Sequence, residues 1–472
     1  MTGPLTSQGY KRAMDHTFNP TILREYDIRG IVGDTLDESD AYALGRTFAA
    51  LAIDEGARRI AVGRDGRTHS GMLEAALIRG LTEGGIDVMQ TGMGPSPMLY
   101  FATYYLEVDG GIQVTGSHNP ADYNGFKLLL KGRSVFGQEI QAIGERAARG
   151  DWTEGDGSVE EVDIREAYVD RLLEGFSGEG YRVGWDAGNG AAGPILEMLV
   201  ERLPGQHFTI LTEVDGRFPN HHPDPTVEAN LADLKRIVAY KQLDFGIAFD
   251  GDGDRIGAVD GQGRVIWGDQ LLAILAEPVL KEEPGATIIA DVKASQILFD
   301  RVAELGGKPL MWKTGHSLIK SKMKETGAPL AGEMSGHVFF KHRWYGFDDA
   351  LYAAVRLIEA VSASGKSLTE IMDSMPKTKA TPEMRFPVDE SRKFAIVDEV
   401  RERLSAEGAK VDATDGVRVS TSDGWWLLRA SNTQDVLVAR AEAKDDAGVE
   451  RLVAQIDDQL ARSGVERTET VH

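Results

Sequence analysis

Three stretches of the chain repeat one pattern, and that repetition restricts the fold more than any other feature. Arg58 opens "RRIAVGRDGRTHSGMLEAALIRGL", Tyr181 opens "YRVGWDAGNGAAGPILEMLVERL", and Ala286 opens "ATIIADVKASQILFDRVAEL". Each reads as a β-branched strand, a loop of Asp, Gly, Lys or Ser, and a helix-compatible stretch. This is the opening of an α/β unit, with polar residues at the strand's carboxyl end, where such folds bind ligands. Three occurrences predict three α/β domains in tandem, built on mixed sheets.

The stretch "GDWTEGDGSVEEVD" separates the first unit from the second, and "DGQGRVIWGDQ" joins the second to the third. After "SMPKTKATPEM" the chain mixes short strands such as "EMRFPV" and "GWWLLRAS" with an amphipathic helix, "AGVERLVAQIDDQL". That mixture predicts a fourth, smaller α+β domain. The expected boundaries are 1–162, 163–264, 265–376 and 377–472.

Charge narrows the partners. With 52 Lys and Arg against 74 Asp and Glu, the net charge of −22 repels nucleic acid and anionic membrane. An anionic ligand would therefore need cations concentrated at its site, beside glycine-rich loops. The N-terminus lacks the apolar core of a signal peptide, and no stretch approaches the roughly 20 apolar residues of a membrane span. A cytoplasmic protein is expected. The absence of cysteine excludes disulfides and thiol catalysis.

The strongest chemical signal is "LDFGIAFDGDGDRIGAVD", a strand that runs into Asp250, Asp252 and Asp254 alternating with glycines. Three carboxylates at that spacing suit a hard, oxygen-seeking cation such as Mg²⁺. A calcium-binding EF-hand loop would need Gly at its sixth position and Glu at its twelfth, where Arg255 and Gly261 stand. In "LAGEMSGHVFFKHRWYGFDD", Glu333, Ser335 and His337 share parity on what reads as an extended loop, so all three would face one way and meet sugar hydroxyls. A plain polar turn fits those residues equally well. In "WWLLRASNTQDVLVARAEA", Arg429 with Ser431, Asn432 and Thr433 makes either a phosphate nest or a hairpin turn with a surface arginine. In "QVTGSHNPADYNGFKLL", Ser117 sits on a tight turn after a strand, as ordinary punctuation or as a nucleophile held up to a ligand. Arg29 in "EYDIRG", Lys127 in "GFKLLL", Lys293 in "ADVKAS", and Lys313 with His316 in "WKTGHS" are scattered polar residues beside turns. Taken together, these are the parts needed to move phosphate on a phosphorylated sugar.

The ordered motifs "EYDIRG", "TGSHNP", "DGDGDR", "WKTGHS", "GEMSGH" and "RASNT" resemble those of the α-D-phosphohexomutase superfamily, in particular its bacterial phosphomannomutase/phosphoglucomutase group. The resemblance covers nearly the whole chain. It implies four domains around a central cleft, a monomer, and hexose phosphates as substrates. The implied activity interconverts hexose 1-phosphate and 6-phosphate through a 1,6-bisphosphate; phosphoglucosamine mutase and a Mg²⁺-dependent sugar phosphatase are the alternatives. By resemblance Ser117 is the phosphoserine, and Asp250, Asp252 and Asp254 hold Mg²⁺ with an oxygen of Ser117. Arg255, Arg29 and His118 would support transfer, while Lys127 and His337 are the acid/base candidates. Glu333, Ser335, His316 and Lys293 would contact the sugar phosphate, and Arg429, Ser431, Asn432 and Thr433 would hold the nonreacting phosphate. One departure stands out: after "RASNT" the family commonly has a proline one residue later, where this chain reads Gln434-Asp435.

Overall fold

The computed structural model describes residues 15–432 and 434–466. They form two compact units, one made of residues up to Met93 together with Ala102–Asp163, the other of Gly94–Phe101 and Ile164 onward. Among the described residues no helix is long and apolar enough to cross a membrane.

In the first unit the sheet order is Ile28–Ile31, Tyr123–Leu130, Gly110–Val114, Arg59–Arg64, Asp87–Met93 and Val159–Glu161. Gly110–Val114 is buried at every position, as expected of a central strand covered on both faces. It pairs in parallel with Arg59–Arg64 and antiparallel with Tyr123–Leu130, so the sheet is mixed. Helix Glu38–Asp54 starts in a capping box, with Asp37 accepting from the Asp40 N–H and Asp40 answering the Asp37 N–H. Ile60, Val62, Ile112, Val114 and Phe126 form the centre of the core beneath it.

The second unit holds three sheets. One has the order Val265–Ile266, Ile256–Asp260, Phe245–Phe249, Tyr181–Asp186 and Gly205–Ile210. The next runs Lys308–Trp312, Thr287–Asp291, Leu330–Gly332, Val338–Phe340 and Phe347–Asp348. Both combine parallel and antiparallel pairs. The last is antiparallel around Gly424–Ala430 and Val436–Ala443, covered by helix Asp446–Arg462 through Leu452, Ile456 and Leu460. All three repeated sequence segments fold as strand, loop and helix: Arg59–Arg64 then Ser70–Glu83, Tyr181–Asp186 then Gly193–Val200, and Thr287–Asp291 then Gln296–Glu304.

The segment from Glu333 to His337 departs from the extended loop expected of it. The Glu333 N–H donates to the His337 carbonyl, and the Gly336 N–H donates to the Glu333 carbonyl. The chain therefore turns tightly between the paired strands Leu330–Gly332 and Val338–Phe340. Parity is lost in such a turn, and the three side chains come together by a different route.

Candidate active site

In the first unit, the carboxyl end of Gly110–Val114 delivers the turn that carries Ser117. Register places Lys127 opposite Gln113 and Arg29 opposite Gly125, so three sequence candidates share one stretch of the sheet. Ser117 is 2% exposed and takes a left-handed φ of +50°, which a non-glycine residue adopts only when its surroundings impose it. Its Oγ lies 3.2 Å from His118 Nδ1. Arg29 donates to Asn119 Oδ1 at 2.6 Å and pairs with Asp27, so the cation is already fixed beside the serine turn. Lys127 is buried on its strand.

In the second unit, Asp250, Asp252 and Asp254 are completely buried between the antiparallel strands Phe245–Phe249 and Ile256–Asp260. The loop closes on itself: Asp250 Oδ1 accepts from the N–H groups of Asp254 and Arg255, each at 3.1 Å. Gly253 sits at φ +73°, where a side chain would be strained and would also meet Pro95. Ser96 donates through Oγ to Asp252 Oδ2. One carboxylate oxygen from each aspartate lies within 4.8 Å of the others. Three buried carboxylates converging this closely repel one another unless a cation sits among them. An all-oxygen donor set of this kind fits Mg²⁺.

Next to this loop, Arg255 and His337 form an isolated antiparallel bridge. His337 Nε2 lies 3.3 Å from Asp254 Oδ1 and 3.9 Å from Asp348 Oδ2, while Nδ1 lies 3.2 Å from Glu333 Oε2 and 3.0 Å from Ser335 Oγ. Burial alone would lower its pKa, and the adjacent Arg255 works in the same direction. The charge of Asp254 and hydrogen bonds to Asp254 and Glu333 outweigh both and hold it up to about 9. Arg255 Nε donates to the same Nε2 at 3.3 Å, so this nitrogen stands between a carboxylate and a guanidinium. Its acidic neighbours thus make the ring a stronger proton holder than a free histidine. Asp254, His337 and Asp348 also converge at metal-like spacing, and there Lys320 already places a cation 3.1 Å from Asp348 Oδ1.

Glu333 is 3% exposed, with Oε1 accepting from the Gly315 N–H at 2.6 Å. Burial pushes its carboxyl up, yet the His337 partner, the Gly315 N–H and the charge of Lys293 hold it below the usual range. His316, the first residue of helix His316–Thr326, stacks its ring on His337 at 5.7 Å. The two candidate loops are tied by Asp291, which accepts from the Met334 N–H and from Thr314 Oγ1. Lys293 pairs with Glu383 at 3.2 Å, and chiefly that charge pulls the Glu383 carboxyl down to about 2.

Strand Gly424–Ala430 carries Arg429, which is 6% exposed. Its Nε donates to Asp415 Oδ2, the same oxygen that accepts from the Thr314 N–H. One carboxylate thus links the arginine of the "RASNT" loop to the "WKTGHS" loop. Ser431 is buried, with its Oγ accepting from the Gln434 N–H, and Asn432 is half-buried. Thr433 lies outside the described residues. Gln434, at the departure from the family pattern, accepts from Arg385.

Sequence reasoning brought together Glu333, Ser335 and His337, and the aspartate triad, but it assigned nothing to Asp65, Arg67, Asp291, Asp348 or Asp415. The first two stood in plain view in "GRDGR", at the carboxyl end of a strand; their partners are about fifty residues away.

Four family models match in chain order. Phosphoglucomutase/phosphomannomutase, alpha/beta/alpha domain I matches residues 20–154, domain II residues 166–263, domain III residues 267–378, and the C-terminal domain residues 383–459. The phosphomannomutase/phosphoglucomutase of Pseudomonas aeruginosa is 46% identical over 445 residues, 94% of this chain and 96% of that protein. The phosphoglucomutase of Neisseria gonorrhoeae is 45% identical over 436 residues, 91% of this chain and 95% of that one. A crystal structure of a phosphoglucomutase/phosphomannomutase family protein from Burkholderia thailandensis superposes with a TM-score of 0.90 at 42% identity, covering 95% of this chain and 98% of that one. Matches of this length and identity, with every domain model in its place, mean that the chain belongs to the phosphoglucomutase/phosphomannomutase family of the α-D-phosphohexomutase superfamily.

Proposed function

We propose that the protein is a phosphohexomutase that interconverts the 1-phosphates and 6-phosphates of mannose and glucose through a phosphoserine at Ser117. The observation that carries this reading is the Ser117 turn, a buried hydroxyl imposed in a left-handed conformation beside Arg29 and Lys127, in a chain of this family. In the forward direction, the free 6-hydroxyl of a hexose 1-phosphate attacks phospho-Ser117. The new P–O bond forms as the bond to Ser117 Oγ breaks, the hydroxyl proton passes to a protein base, and Oγ is reprotonated. The 1,6-bisphosphate then turns over, and Ser117 Oγ takes the phosphoryl from position 1, leaving the 6-phosphate. Lys127 and His337 are the two groups we assign to hold and return these protons. Arg29, Arg255 and His118 offer donors to phosphoryl oxygens whose charge builds during transfer.

Asp250, Asp252 and Asp254 are the residues that would hold Mg²⁺, which when bound supplies positive charge against the oxygens of the transferring group. A substrate that must bind in two orientations needs an anchor for the phosphate that is not reacting, and hydroxyl contacts shared by both poses. Arg429, Ser431 and Asn432 are assigned to the first task; Glu333 and Ser335, with His316 and Lys293, are assigned to the second. A phosphatase would need no such second anchor.

The test is a coupled assay with Mg²⁺ and catalytic glucose 1,6-bisphosphate. Glucose 1-phosphate and mannose 1-phosphate should both give the 6-phosphate without free phosphate, and glucosamine 1-phosphate should turn over much more slowly. Stoichiometric release of phosphate would make the protein a phosphatase instead, and a preference for the glucosamine substrate would make it a phosphoglucosamine mutase.

A further inference from the structure

Ser117 is held in its unusual backbone conformation by a residue that no step of the reaction uses. The side chain of Arg67 is completely buried, and its two terminal nitrogens are spent on carbonyl oxygens of one turn. Nη2 donates to the Ser117 carbonyl at 2.8 Å and the Asn119 carbonyl at 2.6 Å. Nη1 donates to the carbonyls of Pro120 and Tyr123. A guanidinium is the one side chain whose planar fork can satisfy so many acceptors at once.

Asp65 holds the other side of this arrangement. Its Oδ2 lies 3.3 Å from Arg67 Nε and accepts from Thr115 Oγ1 at 2.8 Å and the Gly116 N–H at 3.1 Å. Its Oδ1 accepts from the Arg67 N–H and from Ser70 Oγ. Thr115 Oγ1 in turn accepts from the Ser117 N–H at 2.8 Å. Ser117 is thus gripped at its N–H through Thr115 and Asp65, and at its carbonyl through Arg67. There is no slack at the residue before it: a Cβ on Gly116 would lie 2.5 Å from Arg67 Nε and 2.6 Å from Cζ.

The geometry has a chemical consequence. In a trans peptide the C=O and N–H point to opposite sides, so drawing the Ser117 carbonyl onto Arg67 turns the His118 N–H away from it. Carbonyl oxygens, which would repel a phosphoryl group, are collected on the buried side of the turn. We infer that Arg67 is a positioning residue for phosphoryl transfer: seated on Asp65, it locks the Ser117 turn in its reactive orientation and thereby sets the turnover rate, with no part in holding the sugar phosphate. This inference rests on the reading of Ser117 as the phosphoryl carrier.

Arg67→Lys keeps a buried cation but replaces the fork by a single point, which cannot reach four carbonyls. Misplacing a reacting group by about 1 Å can cost about 100-fold in rate. Arg67→Lys is therefore expected to lower kcat about 100-fold while KM for glucose 1-phosphate stays within about threefold, a split that signals loss of an interaction felt only in the transition state. In a single turnover, the variant phosphorylated on Ser117 should bind substrate normally and transfer slowly. If Arg67→Lys does not fold, Gly116→Ala carries the same test, because its methyl group displaces the guanidinium from the turn while Arg67 remains. An unchanged kcat in whichever of these variants folds, or a rise in KM alone, would overturn the inference. Ser117→Ala is run beside them: wild-type turnover in that variant would remove the Ser117 reading itself, whereas an inactive Ser117→Ala with a fully active Arg67→Lys would remove only the role of Arg67.

Discussion

Asp349 gives the most quantitative prediction. It caps helix Ala350–Ser364 by accepting from the Tyr352 N–H, and its Oδ2 accepts from the Tyr168 hydroxyl at 2.7 Å. The start of that helix reaches the aspartate loop, where the Ala350 N–H meets the Gly253 carbonyl. Asp349 is 1% exposed, and burial pushes its carboxyl up to about 7, helped by the charge of Asp348 and opposed by the hydrogen bonds from Tyr352 and Tyr168. The folded state therefore binds this proton more tightly than the unfolded chain, where the carboxyl titrates near 3.9. The stabilisation is complete below the unfolded value and is lost as pH rises through the folded one. Integrating the proton difference between about pH 5 and about pH 8 gives a loss of about 2 to 3 kcal/mol. Asp349→Asn imitates the protonated acid and has no such loss. For a unit of this size the difference corresponds to about 3 to 5 °C in melting temperature. Scanning wild type and Asp349→Asn by differential scanning fluorimetry at both pH values isolates the term, because every other titration is common to both. The variant should gain on the wild type as pH rises. Parallel melting curves across that range would refute the reasoning.

The remaining predictions concern the assigned roles. Asp252→Asn should mainly lower kcat, as should chelation of Mg²⁺, with activity restored on adding Mg²⁺; a large rise in KM at constant kcat would contradict the metal role. Glu333→Ala should weaken glucose and mannose substrates alike, by about 1.5 to 3 kcal/mol for loss of a charged hydrogen-bond partner. An effect confined to one hexose would make Glu333 a specificity residue. Asp435 is exposed beside the "RASNT" loop, and its charge should oppose bound phosphate by only about 1 kcal/mol in water, less in salt. Asp435→Asn should therefore lower KM several-fold at most at low ionic strength, with the gain fading as salt is added; a higher KM would show that Asp435 orders the loop.

Much of this architecture could be read before any coordinates. Strand-loop-helix segments are local, since a β-branched run, a glycine-rich break and an amphipathic stretch are each fixed by neighbouring residues, and all three formed where expected. The aspartate loop is local too: Asp250, Asp252 and Asp254 converge because five residues of chain cannot do otherwise between antiparallel strands. The "GEMSGH" segment was harder. Parity suggested an extended loop, but the Glu333 N–H finds the His337 carbonyl instead, and His337 gathers Glu333 and Ser335 by hydrogen bonding.

What could not be read is how the chain buries charge. "FDD" looks like a solvated acidic pair, yet Asp348 and Asp349 are both inside, answered by Lys320 and Tyr168. Asp415 looks like a turn residue and proves to be the shared acceptor for Arg429 and Thr314. Arg67 looks like a surface residue before a helix and proves to be the hub of a turn fifty residues away. Such roles depend on which strands become neighbours, and a sequence pattern describes only the strand itself.

The central claim is that Ser117 carries the phosphoryl group. The most direct measurement is to incubate the purified protein with glucose 1,6-bisphosphate labelled in its phosphates, and to map the label by intact mass and peptide sequencing before and after a chase with glucose 1-phosphate. One phosphoryl group per chain should be found on Ser117, and the chase should transfer it to the sugar to give the labelled bisphosphate. Label on another residue, or label on Ser117 that the sugar phosphate cannot remove, would contradict the account.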